Sequence, residues 1–273
     1  MKDFLKLLKR RLQRKIVFKF IYKSLYFYRM AIFLGRYTNF LLPHEEDIYG
    51  LNYLKLDDKK TIIDIGASDG LYFKSVRSIG INSKFVCFEA LKINKKYLGK
   101  IKKKDKNFKF YIIALGNQNN YLSIYTPLSK NHFLYNYSSF SKSESKAILA
   151  LRNFGIDLKN IKFKKNKVKQ RKLDLFKFNP SLLKIDVEGY ENKVLLGAIK
   201  TIKKYKPAIY VENNLGETKF NTVSFFAKKL YKFGYKPYIF NFEQKSFLKY
   251  NQNKASRRFF SYNVYFVTKK HLK

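Results

Sequence analysis

Thr61-Ile-Ile-Asp-Ile-Gly-Ala-Ser-Asp-Gly70 is the stretch that decides the fold of this chain. Its apolar residues predict a buried strand, and Gly66 and Gly70 let the backbone turn tightly before the next helix begins. Ligands of α/β proteins bind at the carboxyl ends of such strands, so we expect a binding site here. The spacing Asp-x-Gly-x-x-x-Gly lacks the third glycine of a dinucleotide fingerprint, which argues against a pyrophosphate site.

Strands and helices alternate on the carboxyl side of this stretch. The predicted strands are Thr61–Ile65, Lys84–Phe88, Phe108–Ala114, Tyr121–Thr126, Lys167–Leu173, Ser181–Ile185, Ala208–Val211, Pro237–Phe240 and Tyr262–Thr268. The predicted helices are Leu71–Ser78, Leu91–Lys102, Glu191–Tyr205 and Thr222–Phe233. This alternation predicts a mostly parallel sheet with right-handed crossovers and helices on both faces.

The amino-terminal residues 2–35 have the pattern of a basic amphipathic helix. Apolar residues recur at intervals of four, at Phe4, Leu8, Leu12, Ile16 and Phe20. Lysines and arginines occupy the other faces, which is typical of helices that lie on an anionic membrane surface. A helix that caps the sheet or forms a dimer contact has the same pattern. We expect residues 1–45 to be a helical extension and residues 46–273 to form the α/β domain.

The formal charge of +39 over 273 residues favours a polyanionic partner. Only 10 of the 58 basic residues are arginine, the residue that nucleic-acid-binding proteins use for bidentate contacts. Because the lysines are spread along the whole chain, we attribute most of the charge to biased composition. No specific nucleic-acid partner is expected.

Cys87 is the one cysteine, so an internal disulfide is excluded and a reducing compartment is the simplest interpretation. No apolar run reaches the length of a transmembrane helix, and basic residues interrupt every stretch that would form a signal-peptide core. We expect a cytoplasmic protein, and one bound peripherally to the inner face of the membrane if residues 2–35 bind anionic lipid.

Two acidic residues at strand ends point to a cofactor. Glu89 ends the strand after Asp64, where an acidic side chain binds the two hydroxyls of a ribose. Capping of the next helix is the alternative role of such a residue. A ribose-binding acid without a pyrophosphate site indicates a nucleoside-type cofactor, of which S-adenosyl-L-methionine is the commonest.

A second acidic segment, Leu183-Lys-Ile-Asp-Val-Glu-Gly-Tyr-Glu191, contains the candidate catalytic residues. Asp186, Glu188 and Glu191 are candidate general bases, because crowding by other carboxylates raises the pKa of a carboxyl group. Lys184 is the group that would neutralise them. Glu188 and Glu191 have the alternative role of capping the following helix.

The order of these segments resembles the FkbM family of S-adenosyl-L-methionine-dependent methyltransferases over about residues 50–268. The matching segments are Asp64–Gly70, Phe88-Glu89-Ala90, Ala114-Leu115-Gly116, Leu173-Asp174, Lys184–Glu191, Leu196-Gly-Ala198 and Glu212. The chain departs from the family pattern at Ser68, Asp69 and Tyr190, where the family has asparagine, an apolar residue and alanine.

The resemblance implies a class I methyltransferase fold: a Rossmann-like, doubly wound, seven-stranded and mostly parallel sheet. It also implies a cofactor site of S-adenosyl-L-methionine. The methionine portion would contact Asp64, Gly66, Ala67, Ser68 and Gly70. The ribose would contact Glu89, which Ala90 follows, and the adenine would lie beside Ala114 and Leu115. Asp186 would lie next to the transferred methyl group, with Glu188 and Lys184 as further catalytic candidates.

The expected reaction is O-methylation of a hydroxyl group, that of a sugar in a surface polysaccharide or glycolipid. The polar stretch Pro127–Ser145 is expected to be the substrate loop, and a disordered surface loop is the alternative. A divalent cation held by Asp186, Glu212 and Asn213 is a second hypothesis for activating the hydroxyl. The rival functions are an RNA methyltransferase and a non-catalytic nucleic-acid or lipid-binding protein on the same scaffold. The three histidines, His44, His132 and His271, show no metal-ligand spacing.

Overall fold

The computed structural model describes residues 45–129, 132–133, 135, 138–140, 161–212, 222–250 and 263–273. The predicted amphipathic helix over residues 2–35 lies outside these residues, as do His44, Asn213 and most of the expected substrate loop. Within the described residues, no helix is both long and apolar enough to cross a membrane.

The main sheet contains eight strands in the described residues, arranged β3-β2-β1-β8-β9-β12-β10-β11. Their bounds are β1 Thr61–Ile65, β2 Lys84–Glu89, β3 Phe108–Ile112, β8 Pro180–Ile185, β9 Ala208–Glu212, β10 Lys236–Asn241, β11 Ser246–Lys249 and β12 Asn263–Val267. The five strands from β3 to β9 pair in parallel, and β12, β10 and β11 pair antiparallel. This is the predicted doubly wound α/β fold, and its strand order reverses between β1 and β8.

The count of seven strands was wrong by one. Strand β11 extends the sheet through an antiparallel hairpin with β10, in which Ile239 pairs with Leu248. Its sequence, Ser-Phe-Leu-Lys, gives only a four-residue pattern after a polar turn. Such a short edge strand has too little alternation to be recognised from sequence.

A second sheet stands beside the first and has the order β4-β7-β5-β6. Its strands are β4 Ala114–Leu115, β5 Tyr121–Ser129, β6 His132–Phe133 and β7 Lys162–Arg171. The prediction of a single strand over Phe108–Ala114 is therefore wrong, because the chain leaves the main sheet after Ile112 and Ala114 pairs with Gln170. The strand predicted over Lys167–Leu173 begins earlier and belongs to this second sheet.

The helices are α1 Leu71–Ser78, α2 Lys95–Lys104, α3 Glu191–Gly197, α4 Ile199–Tyr205 and α5 Thr222–Leu230. The single helix predicted over Glu191–Tyr205 is broken at Ala198. The carboxylate of Asp174 accepts the backbone N–H groups of Lys200 and Thr201 at 3.1 and 2.8 Å, so it caps α4 as a separate helix. Leu173-Asp174 in the family pattern thus has a structural role here.

Two apolar layers cover the faces of the main sheet. One contains Ile63, Ile65, Leu183 and Ile185 with helices α3 and α5, and the other contains Ile62 and Leu182 with helix α1. The 3₁₀ segment Glu46–Tyr53 packs on the α1 side through the fully buried Ile48 and Leu51. Burial on both faces explains why the central parallel strands read as nearly continuous apolar runs.

Candidate active site

The turn after β1 brings the backbone close to the end of β8. Gly66 has a φ of +88°, and a Cβ atom at this position would lie 1.8 Å from the backbone oxygen of Asp186. The N–H groups of Gly66 and Ala67 donate to the Phe88 carbonyl at 2.9 and 3.2 Å. Only glycine allows this approach, so the first glycine of the motif joins the ends of three strands.

Glu89 is fixed at the end of β2 by two backbone donors. Its Oε2 accepts the Ser68 N–H at 2.8 Å, and its Oε1 accepts the Leu91 N–H at 2.7 Å. Burial raises the pKa of Glu89, and these hydrogen bonds partly offset the shift. The Asn94 side chain donates a further hydrogen bond to this carboxylate, and a carboxylate with about four acceptor positions can still accept from a ligand hydroxyl.

A cavity of about 260 Å³ opens between the ends of these strands and the second sheet. The predicted site residues that line it are Gly66, Ser68, Glu89, Ala90, Ala114, Leu115, Asp186 and Glu188. Asp64, Ala67, Gly70 and Lys184 are not among its lining residues. Ala67 and Gly70 instead shape the turn, where the Gly70 N–H donates to the Ala67 carbonyl at 2.8 Å.

Asp64 is fully buried behind the cavity, where it pairs with Lys184. Lys184 Nζ lies 3.3 Å from Asp64 Oδ1 and 3.1 Å from Asp186 Oδ2, so one ammonium group bridges two strands. Burial alone would lower the pKa of Lys184, but Asp186 and Asp64 outweigh it and the net shift is upward. Lys184 is therefore a cation that orients Asp186, whose side chain remains 34% exposed.

The loop after β8 turns around the carboxylate of Glu191. Glu191 Oε1 accepts the N–H groups of Val187 and Gly189, each at 3.1 Å. Glu188 lies between them with a φ of +53° and lines the cavity. Glu191 is 2% exposed and serves the backbone, so the structure gives it a loop-organising role in place of the role of a base.

The far wall of the cavity comes from strand β5 of the second sheet and from residues between β6 and β7. Its side chains are those of Ile124, Tyr135, Ser138 and Phe140. Three of them fall in the stretch Pro127–Ser145 that was expected to bind the acceptor, and Ile124 falls in a predicted strand, so no sequence feature assigned any of them a contact with the cofactor. Only the tertiary structure, in which β5 pairs with β7, brings these residues to the cavity.

A family model described as the methyltransferase FkbM domain matches residues 64–237, which is more than half of the chain. The chain belongs to this family. The predicted membership of the FkbM family is thereby confirmed.

Three solved structures of methyltransferases or related proteins are similar to this FkbM-family chain at low identity. The FkbM methyltransferase of Methylobacillus flagellatus is 14% identical with a TM-score of 0.48, covering 80% of this chain and 47% of its own. The precorrin-6y C5,15-methyltransferase of Geobacter metallireducens is 13% identical with a TM-score of 0.36, covering 80% of this chain and 82% of its own. Aeropyrum pernix fibrillarin, solved with natively bound S-adenosyl-L-methionine, is 9% identical with a TM-score of 0.39, covering 82% and 77%.

The strand order of the main sheet shows the fold, and the match of residues 64–237 to the family model shows the family. The chain spans about half the length of the Methylobacillus flagellatus protein. A search of curated proteins finds no match.

Two further carboxylates, those of Glu45 and Asp47, lie near the end of β8. Both residues precede the segment that matches the family model. The Tyr210 hydroxyl and the Asn263 amide contact both Glu45 and Asp47, at 2.7 to 3.3 Å. Burial raises the pKa of Glu45, and the negative charge of Asp186 raises it further. The sequence offered no signal for these residues beyond their acidity.

The metal hypothesis receives no support from the described residues, where no three His, Cys, Asp or Glu side chains cluster as a metal site requires. Asn213, which the hypothesis includes, lies outside them.

His271 is buried, and its ring nitrogens contact Thr268 and Lys206. It is a structural residue.

Proposed function

We propose that this chain is an S-adenosyl-L-methionine-dependent O-methyltransferase that acts on a sugar hydroxyl of a surface polysaccharide or glycolipid. One observation supports it most: a single cavity has the fixed carboxylate of Glu89 and the partly exposed carboxylate of Asp186 in its walls. The first suits a ribose, and the second suits an acceptor hydroxyl.

The donor side of the cavity fits an adenosine-bearing ligand. The backbone of Gly66 approaches without a side chain, Ser68 and Glu89 offer polar groups, and Ala114 and Leu115 form an apolar surface. When bound, S-adenosyl-L-methionine supplies a methyl group on a positively charged sulfur that is already an activated leaving group. The protein then has to align the acceptor and take its proton.

Asp186 is the proposed general base. A sugar hydroxyl is a weak nucleophile, so a positioned carboxylate has to accept its proton as the new bond forms. Lys184 Nζ lies 3.1 Å from Asp186 Oδ2 and keeps the carboxylate in place at the cavity wall, where its 34% exposed side chain would accept that proton. Glu188, on the same loop, is placed to bind another hydroxyl of the sugar.

We place the enzyme in the cytoplasm, with residues 2–35 holding it near a membrane-bound acceptor. The basic face of that pattern would attract anionic headgroups, and its apolar stripe would enter the lipid boundary. Binding of the full chain to vesicles with and without anionic lipid tests this placement.

A methyl-transfer assay tests the proposed function. The full chain is incubated with labelled S-adenosyl-L-methionine and with fractionated cell-envelope glycans or total RNA, and Asp186→Asn is assayed in parallel. We expect label in a glycan fraction for the wild type and none for the variant. The net charge of +39 favours RNA as the second candidate, so label only in RNA would overturn the sugar assignment.

A further inference from the structure

Phe140 and Tyr190 stack on each other beside the cavity. Their ring centroids are 4.2 Å apart, and their planes are inclined by 27°. Phe140 lines the cavity, whereas Tyr190 stands behind it as the residue just before helix α3. The family pattern has alanine at the position of Tyr190, and an alanine side chain has no ring for this contact.

Tyr190 is held in place by a buried partner. Gln170, which is 1% exposed, donates from Nε2 to the Tyr190 hydroxyl at 3.2 Å. Gly116 leaves the space for both groups, since a Cβ atom there would lie 1.7 Å from Gln170 Nε2 and 2.9 Å from Tyr190 Cε1. The position of the tyrosine ring is therefore determined by packing on two sides.

Phe140 is anchored through the residues before it. Ser139 exchanges two backbone hydrogen bonds with Tyr125, at 2.8 and 3.1 Å. The hydroxyl groups of Ser138 and Thr126 lie 2.9 Å apart. These bonds tie the segment to strand β5, so the ring of Phe140 is fixed between the second sheet and Tyr190.

The chemistry around Phe140 indicates what its ring contacts. The neighbouring walls of the cavity are apolar or aromatic, and they come from Ile113, Leu115, Ile124 and Tyr135. A flat purine packs well against such a wall, because offset aromatic stacking adds to apolar burial. The polar groups that would hold a ribose, Glu89 and Asn94, line the same cavity.

We propose that Phe140 packs against the purine of the methyl donor and that Tyr190 is the positioning residue that holds Phe140 there. This inference rests on the proposed use of an adenosine-bearing donor. Tyr190, which differs from the family pattern, thereby contributes to the affinity for the donor. Phe140 itself lies in the stretch Pro127–Ser145 that was expected to bind the acceptor, so the stack joins that stretch to the loop after β8.

Calorimetry with two probes, S-adenosyl-L-homocysteine and adenosine, tests the inference on the full chain. We expect Phe140→Ala and Tyr190→Ala each to weaken both probes by about tenfold, by the loss of one stacking contact. The double variant should lose little more than either single variant, because the two rings act as one unit. Tyr190→Phe keeps the stack and should bind within about twofold of the wild type.

Matched variants separate this role from a general loss of structure. Tyr231→Ala removes a ring that is 75% exposed and should bind both probes as the wild type does. Phe140→Leu keeps an apolar side chain without the ring, and it should weaken adenosine several-fold at an unchanged melting temperature.

The possible failures are distinguishable. If the wild type binds both probes and the Phe140→Ala, Phe140→Leu and Tyr190→Ala variants bind equally well, this inference is wrong while the proposed function stands. If the wild type binds neither probe, the proposed function fails first and the inference fails with it.

Discussion

The donor half and the acceptor half of the site are held in different ways. We define the donor half as Gly66, Ser68 and Glu89 at the ends of β1 and β2, and the acceptor half as Lys184, Asp186 and residues 187–190 after β8. Backbone N–H groups and a close backbone approach fix the donor half. In the acceptor half, Asp186 is fixed by an ion pair with Lys184 of β8, which also pairs with Asp64 of β1.

The difference explains which functions of the site depend on local sequence. A carboxylate held by backbone donors keeps its position whatever the neighbouring side chains are, so a short motif is enough to build it. A carboxylate held by a buried ammonium depends on a second buried carboxylate to balance the charge. Changes in the two halves should therefore affect different steps of the reaction.

The largest effect is expected from Gly66→Ala, which affects both halves. The new Cβ atom would collide with the Asp186 carbonyl in a backbone conformation unfavourable to alanine, and we expect a loss of at least about 3 kcal/mol in the free energy of unfolding. Gly80→Ala is the control, since Gly80 has the same φ of +88° with open space around it. It should cost only about 1 kcal/mol. Equal losses in urea unfolding would show that the close approach is unimportant.

Asp186→Asn should separate the halves most clearly. Turnover should fall about 100-fold or more because the proposed base is lost, while the donor affinity changes little. The control is Asp105→Asn, which removes the charge of another ion pair, the one with Arg77 at 2.9 Å, away from the cavity. Single-turnover rates and calorimetry measure the two quantities. A variant with normal turnover would remove Asp186 from the role of base.

Glu89→Gln should produce the opposite pattern. Both oxygens of Glu89 accept a backbone N–H, so the amide of glutamine would face one donor with another donor. We expect the dissociation constant of the donor to rise about tenfold, or about 1.4 kcal/mol, with near-normal turnover at saturation. Glu243→Gln, at an exposed position, is the matched control. If turnover fell while donor affinity stayed the same, Glu89 would act in the reaction step and not in donor binding.

The smallest effect on the site is expected from His271, which belongs to neither half. Burial and the charge of Lys270 lower the pKa of His271 from 6.5 to about 4. The unfolded chain therefore binds the proton more tightly, and the stability contribution present above pH 6.5 is lost as the pH falls towards 4. Unfolding in urea at several pH values should show this slope for the wild type and a weaker slope for His271→Gln. The same slope in both would assign the titration to another group.

Several elements of the fold could be predicted closely because their signals are local. Thr61–Ile65 and Leu71–Ser78 were predicted with the bounds that the structure shows. In Thr61–Gly70, an apolar run followed by two glycines determines a strand, a turn and the start of a helix at the next residue. The split of Glu191–Tyr205 was missed because its cause, Asp174, lies outside the helix.

The sequence by itself determined the family, the doubly wound sheet and the acid at the end of β2, since each depends on residues that are close along the chain. Only the tertiary structure decided that Asp64 faces Lys184 behind the cavity and that Phe140, which lines the far wall, stacks on Tyr190. These contacts join segments that are 50 to 120 residues apart, and chain folding brings them together through burial and charge pairing. The spacing of residues along the sequence does not predict which distant residues lie close together in the folded chain.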